Sequence, residues 1–229
     1  MKPADLPKAV IAVASLTSDQ LARIGPVSRA IAIQFARPLN EAMARFGIIS
    51  KESRAVFLAQ VLHESLNLTK MVESLNYSAE RLMVVPGFKG RFTLAQANHY
   101  GRTDAHPANQ EGIACIAYAY RNGNGGPVSR DGWRFRGRGP LQITGRANYT
   151  KCGTALGLDL LKNPELLEQP DLGCLAAAWF WDQGNPTGRS LNILADQGKL
   201  TAVRHAVNGG DNGLMECMDI TRRAVKELV

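Results

Sequence analysis

The run Asn122-Gly123-Asn124-Gly125-Gly126-Pro127 is the strongest single constraint on how this chain can fold. Glycine, asparagine and proline in such close succession favour turn backbone over helix or strand, so whatever precedes and follows must be built as separate elements. Before the break, Thr17 and Gln20 have capping-box spacing and predict a short helix through Ile24. A second helix is expected over residues 27–46, interrupted near Pro38 and ended by Gly47. Ala55, Leu58, Ala59, Leu62 and Leu66 then fall at i, i+3, i+4, i+7 and i+11, one apolar stripe on a helix reaching residue 68. Thr93 and Gln96 repeat the cap spacing inside a loop-like stretch over 83–112, and residues 110–120 read as a helix.

Beyond the break, residues 132–143 alternate enough for a short strand or hairpin. Asn163-Pro164 and Pro170-Asp171 are helix starts, and the runs 172–181 and 214–228 are helices. There is no internal repeat and no linker long enough to separate domains. With 229 residues, 45% of them hydrophobic and 21% charged, the chain can bury a core unaided. The expectation is one mainly helical domain over residues 16–229, preceded by an N-terminal extension of residues 1–15.

Several classes are excluded or disfavoured. No apolar run approaches the roughly 20 residues of a membrane-spanning helix, so stable membrane insertion is not expected. The apolar stretch within residues 8–16 has no basic region before it; no signal peptide is read, and the expected location is the cytoplasm. Cys115, Cys152, Cys174 and Cys217 contain no CxxC pair and are expected as free thiols. His63, His99, His106 and His205 have neither HExxH nor zinc-finger spacing, so neither metal nor cofactor is expected. The net charge of +7 suits an anionic partner: nucleic acid, anionic lipid or bacterial cell wall.

Some segments could carry chemistry. Glu64 lies between Leu62 and Leu66, at the border of the apolar stripe, where partial burial would raise a carboxyl pKa toward that of a general acid. Glu73 follows nine residues later. Two carboxylates flanking a glycosidic bond are the minimal apparatus for hydrolysing it, although most helix glutamates are simply solvated. The stretch 133–149, with Trp133, Arg134, Phe135, Arg136 and Arg138 among glycines, has three readings: a nucleic-acid stacking platform, a sugar groove lined by Gln142, Thr144 and Asn148, or a basic surface hairpin. Residues 208–213 are a turn between helices.

Taken in order, Ala59-Gln60-Val61-Leu62-His63-Glu64-Ser65, Glu73-Ser74-Leu75-Asn76-Tyr77-Ser78-Ala79, Arg121-Asn122-Gly123-Asn124-Gly125, Phe135-Arg136-Gly137-Arg138-Gly139-Pro140-Leu141-Gln142-Ile143-Thr144-Gly145 and Val207-Asn208-Gly209-Gly210 resemble the family 19 glycoside hydrolases. That family comprises chitinases and chitinase-like phage endolysins, and the likeness spans nearly the whole chain. Leu16-Thr17-Ser18-Asp19-Gln20-Leu21 and the run from Asn76 to Leu82 are more similar to the endolysin branch of phages and prophages, which cuts peptidoglycan.

The resemblance implies a lysozyme-like, mainly α (α+β) fold with a small β element lining a sugar-binding cleft. It implies Glu64 as general acid, Glu73 as general base, Thr144 holding the attacking water, and His63, Tyr77, Gln142, Asn148 and Asn208 contacting sugar. The reaction would be inversion, with carboxylates about 6.5–9.5 Å apart. Peptidoglycan glycan strands would be the partner, met by a monomer after cytoplasmic accumulation and release, without nucleic acid. Arg130, Arg134, Arg136 and Arg138 would favour encounter with the anionic polymer. Chitin is the alternative substrate, and a noncatalytic wall-binding or nucleic-acid-binding module the alternative class. In one departure, the acidic residue and following arginine common near the start of the family's last helix are here Glu216-Cys217. Arg222 and Arg223 are therefore left outside the expected site.

Overall fold

A computed structural model describes residues 14–228. Of the expected extension, residues 1–15, only Ala14 and Ser15 are among them. Thr17 opens α1 (Ser18–Ile24) with the predicted capping box, its hydroxyl accepting from Gln20 N while Gln20 Oε1 accepts from Thr17 N. Ser28 caps α2 (Arg29–Arg45), which runs unbroken through Pro38. The expected interruption is absent: proline removes one rung of the ladder, and burial of Phe35, Leu39 and Met43 holds the helix on both sides of it.

α3 (Lys51–Glu64) departs further from expectation. All residues from Ser53 to Leu62 are buried, so the helix is an axis surrounded by others and has no solvated face there. α2 packs against α9 (Pro170–Trp179), and α12 (Leu214–Glu227) lies along α3. α10 (Asn192–Asp196) and α11 (Leu200–Asn208) complete this first core. A five-residue π-turn, Phe180–Gly184, prolongs α9 and carries Trp181 into the core. There its ring meets the Phe57 ring edge-on at 5.4 Å, and its Nε1 donates to Asn192 at 2.8 Å.

Two smaller cores flank this one. Phe135, Tyr149, Cys152 and Leu160 pack beneath α8 (Arg146–Leu156) with Leu167 of a 3-10 turn (Pro164–Glu168). α9 serves both cores, turning Cys174 and Ala177 to the first and Ala176 and Trp179 to the second. The third core gathers Leu75, Leu82, Phe88, Phe92 and Ile113 among α4 (Ala79–Val84), α5 (Leu94–Tyr100) and α6 (Gln110–Ala117). All four cysteines are free and buried. No helix among the described residues is long and apolar enough to cross a membrane.

The expected strand or hairpin over residues 132–143 does not form. Its opening residues belong to the single-turn helix α7 (Asp131–Arg134). The remainder makes only isolated bridges, Arg138 to Val72 and Arg138 to Ile143, and no strand occurs among the described residues. Positive φ at Gly139 and Gln142, 77° and 53°, shapes the tight turn that closes the Arg138–Ile143 pair, but α7 takes up residues 131–134 and leaves no extended first half for a longer ladder.

Replacing Trp181 by alanine removes the ring contact with Phe57 and opens a void beside α3. Denaturant unfolding of Trp181→Ala is expected to show a loss of about 3–5 kcal/mol; a loss below about 1 kcal/mol would mean that the π-turn does not anchor the core.

Candidate active site

The site begins where α3 stops. Its expected continuation to residue 68 is replaced by a left-handed turn, with φ of 47°, 58° and 64° at Leu66, Asn67 and Leu68. Each such non-glycine residue costs about 1–2 kcal/mol, and the hydrogen bonds of Ser65 offset some of it. The Ser65 hydroxyl donates to Val61 O at 2.6 Å and accepts from Leu68 N at 2.8 Å, while Asn67 N donates to Leu62 O at 2.7 Å. Leu66, expected on the apolar stripe, is 54% exposed, whereas Leu68 returns to the core.

Glu64, the last residue of α3, therefore meets no apolar wall from Leu66. It faces Arg204 of α11, whose guanidinium reaches Glu64 Oε1 at 2.6 Å. Arg204 is fully buried and also donates to Gln60 Oε1 at 2.8 Å and Asn212 O at 2.6 Å, while its Nη2 has no hydrogen-bond partner. Asn208, expected to contact sugar, approaches the same Glu64 Oε1 at 3.5 Å. Glu64 Oε2 has no hydrogen-bond partner among the described residues and is the oxygen left for a ligand. His63 packs on Gly213 so closely that a Cβ there would lie 2.1 Å from its Nε2. Only glycine, at φ 76°, fits this start of α12.

Glu73 is held by neutral donors. Gly137 N donates to its Oε1 at 2.5 Å and the Tyr118 hydroxyl to its Oε2 at 2.6 Å. The backbone supports this placement, with Glu73 N donating to Gly137 O at 3.0 Å and Gly139 N to Met71 O at 2.8 Å. Burial, then the Glu73 charge, push the Tyr118 phenol well above its ordinary range, and the same order of causes raises Tyr77. Tyr118 is thus a neutral donor to the carboxylate. A Cβ on Gly137 would lie 2.6 Å from Gln142 Oε1 and 3.2 Å from Thr144 Oγ1, so glycine is what admits both side chains beside Glu73's support. Asn148 Nδ2 donates to Thr144 O at 2.8 Å, and Gln142 Nε2 to Gly139 O at 2.9 Å.

The predicted residues therefore fall into two groups joined by the turn: Glu64 with Asn208, and Glu73 with Thr144, Gln142, Asn148 and Tyr77. Sequence reasoning missed Arg204, Gln60 and Tyr118. Only the Cys217 departure hinted at the first, since a family arginine missing from one element invites a replacement from another. Among the described residues no group of three or more His, Cys, Asp or Glu side chains could hold a metal.

The basic stretch is mostly committed to structure. Arg138 is 4% exposed and bonds Glu168 at 2.7 Å and Tyr149 at 3.1 Å. Arg134 donates to Leu161 O at 2.7 Å, Arg130 pairs with Glu111 at 2.5 Å, and Arg136 covers the Trp133 ring at 3.8 Å. The tryptophan face that could have stacked a base is occupied.

Asp131 ties the glycine-rich break to the start of α8, accepting from Arg146 Nη2 at 2.7 Å and Gly125 N at 2.9 Å. Arg146 beside it, more than the Gly125 bond, holds its carboxyl below the usual aspartate range against the opposing effect of burial. A carboxyl depressed by folding contributes stability that is complete above its unfolded value of about 3.9 and is lost as pH falls through the folded value. Asp131→Asn should therefore be less stable than the parent at neutral pH, with the difference vanishing in acid; parallel thermal unfolding curves at every pH would show that this ion pair carries no stability.

Removing one partner of the Arg204 pair should strand the other. Arg204→Met is expected to lose about 3–5 kcal/mol in denaturant unfolding, the low end being favoured because Glu64 is 21% exposed. Adding Glu64→Gln should recover some of the loss; strictly additive losses would mean the two charges are not coupled.

Residues 92–205 match the family 19 glycoside hydrolase domain described as chitinase class I. A Haemophilus influenzae protein named as containing a glycosyl hydrolase family 19 domain is 34% identical over 179 residues, 78% of this chain and 81% of that one. Endochitinase 2 of Gossypium hirsutum is 35% identical over 99 residues, 38% of this chain and 33% of that one. Chitinase C of Streptomyces griseus superposes with a TM-score of 0.58 at 21% identity, covering 92% of this chain and 90% of that structure; a further bacterial family 19 chitinase gives 0.59 at 21%, covering 92% and 93%. The mainly helical fold is thus the lysozyme-like one of these structures. The chain belongs to glycoside hydrolase family 19. It is a glycosidase, chitinase-like in its domain.

Proposed function

We propose that this glycosidase hydrolyses the glycan strands of bacterial peptidoglycan by inversion, with Glu64 as general acid and Glu73 as general base. The observation that supports this reading is that each carboxylate is held in place by the fold, and which of the two gives the proton follows the family resemblance. Arg204 orients Glu64 through Oε1 and leaves Oε2 without a partner, the oxygen through which a proton would pass to the leaving group. Glu73 accepts from neutral donors on both oxygens, and Thr144 stands beside the same Gly137 that supports it. A water between Glu73 and the Thr144 hydroxyl would be deprotonated as it attacks the anomeric carbon from the face opposite the leaving group. His63, Tyr77, Gln142, Asn148 and Asn208 would line the sugar path.

Peptidoglycan is preferred on the endolysin-like segments at Leu16–Leu21 and Asn76–Leu82 and on the net charge of +7. On this reading the enzyme accumulates in the cytoplasm of the producing cell, reaches the wall after release and acts as a monomer. Chitin is the second reading, favoured by relatives that are themselves named endochitinase or chitinase. Both polymers offer N-acetylglucosamine in β-1,4 linkage to the same pair of carboxylates.

Glu64→Gln keeps size and hydrogen bonding but removes the transferable proton, so hydrolysis should fall by about 10²–10⁴ with the fold retained. Near-parental activity in that variant ends the assignment. Proton NMR of the first product should show the anomeric configuration opposite to the substrate's, and mass spectrometry of fragments should find cut peptidoglycan. Cleavage of chitin oligomers alone transfers the substrate to the second reading.

A further inference from the structure

We infer that a mixed-charge cavity beside Glu64 receives the stem peptide of peptidoglycan, a peptide bearing both a free amine and free carboxylates; this rests on the glycan-strand reading above. The cavity has a volume of about 280 Å³ and lies between the end of α3 and α12. That is near the lower end of the roughly 300–1,000 Å³ of small-molecule sites, room for a short peptide end. One wall is His63, the residue before the proposed acid, and another is Leu66 of the turn leading to Glu73. A group bound here lies against the residue that precedes the proposed acid.

The facing wall is charged. Glu216, Asp219 and Arg223 fall at i, i+3 and i+7 of α12 and share one helix face. Glu216 has no hydrogen-bond or ion-pair partner among the described residues. Asp219 has only Arg222 of its own helix. Arg223 spends Nε on Ile24 O at 2.7 Å, leaving its two terminal nitrogens for a bidentate carboxylate. The cavity thus offers two carboxylates to an ammonium group and one guanidinium to a carboxylate, beside apolar surface of Leu66 and Ile220 that suits an alanine methyl. A neutral N-acetylglucosamine polymer has no charge to place there. The peptide-bearing strand has both signs, so the cavity separates the two substrates that the carboxylate pair alone treats alike.

The test titrates isotope-labelled protein with a free stem tetrapeptide containing a diamino acid, followed by backbone amide NMR. Shifts are expected around Glu216, Asp219 and Arg223, with affinity about tenfold weaker in Glu216→Gln and in Arg223→Gln. The first variant leaves the Ile24 tie intact and keeps the test decisive if the second folds poorly. In hydrolysis, the parent's KM should be about tenfold lower for peptide-bearing strands than for strands stripped of peptide, and Glu216→Gln should narrow that ratio. Glycan cut with equal KM on both, or tetrapeptide shifts absent or elsewhere, overturns the cavity's role while leaving the substrate reading intact. Cleavage of chitin oligomers with neither peptidoglycan substrate cut overturns the substrate reading and this role with it.

Discussion

The left-handed turn after Ser65 is the constraint from which the rest of the site follows. A helix continuing to residue 68 would send the chain onward along the axis of the bundle, and Glu73 could not return to Gly137. Three consecutive non-glycine residues at positive φ turn it back instead. The turn is tolerated because it is tied at both ends: Ser65, fully buried, bonds both the preceding helix and Leu68, and Leu68 is inserted into the first core at 3% exposure. Strain held in this way is characteristic of segments whose geometry matters more than their local stability. The two carboxylates are joined by that segment, so neither can shift without working against it.

Glu73 also sits where the three cores meet. Met71 packs on the first, Leu75 belongs to the third, and the bridging segment around Arg138 runs from Phe135 to Ile143 of the second. Two isolated bridges suffice because the cores on all sides supply the rigidity that a longer ladder would otherwise provide. This accounts for a carboxylate supported on irregular backbone: its position is set by packing behind it and by the hydrogen bonds from Tyr118 and Gly137 in front. Buried Asp131 closes the same wall by fixing the glycine-rich break to Arg146.

Much of this fold is legible in the sequence. Both capping boxes, at Thr17–Gln20 and Thr93–Gln96, form as spaced, because the signal and the interaction are the same local bonds. The break at residues 122–127 and the turn at 208–213 lie where glycine and asparagine put them. The end of α3 is not legible, since no glycine or proline marks it and the stop depends on Ser65 bonding within its own helix. Nor is its burial: Arg54 and Gln60 lie inside at 3% and 2% exposure, although side chains of these types are mostly solvated. The hairpin fails for the opposite reason, its alternation being real while its opening residues are drawn into α7 and only the Arg138–Ile143 pair closes. Tyr118 and Arg204 reach the carboxylates from 45 and 140 residues away in sequence, beyond any local pattern.

The exchange at position 217 becomes intelligible through Arg204. Cys217 is buried at 2% exposure, and its thiol is pushed up to about 11 by burial, against the opposing charge of Arg204 nearby. Two guanidinium groups, one from α11 and one from α12, could not both be buried against the single carboxylate of Glu64, since the second would be an uncompensated charge costing several kcal/mol. A small, uncharged side chain at 217 therefore fits beside an arginine at 204. Glu64 keeps a cationic partner, but one delivered by the helix that also carries Asn208. Glu64, its cation and the Asn208 amide are thereby placed by the packing of α3 against α11, and α12, with Glu216 and Arg223, is released from that duty.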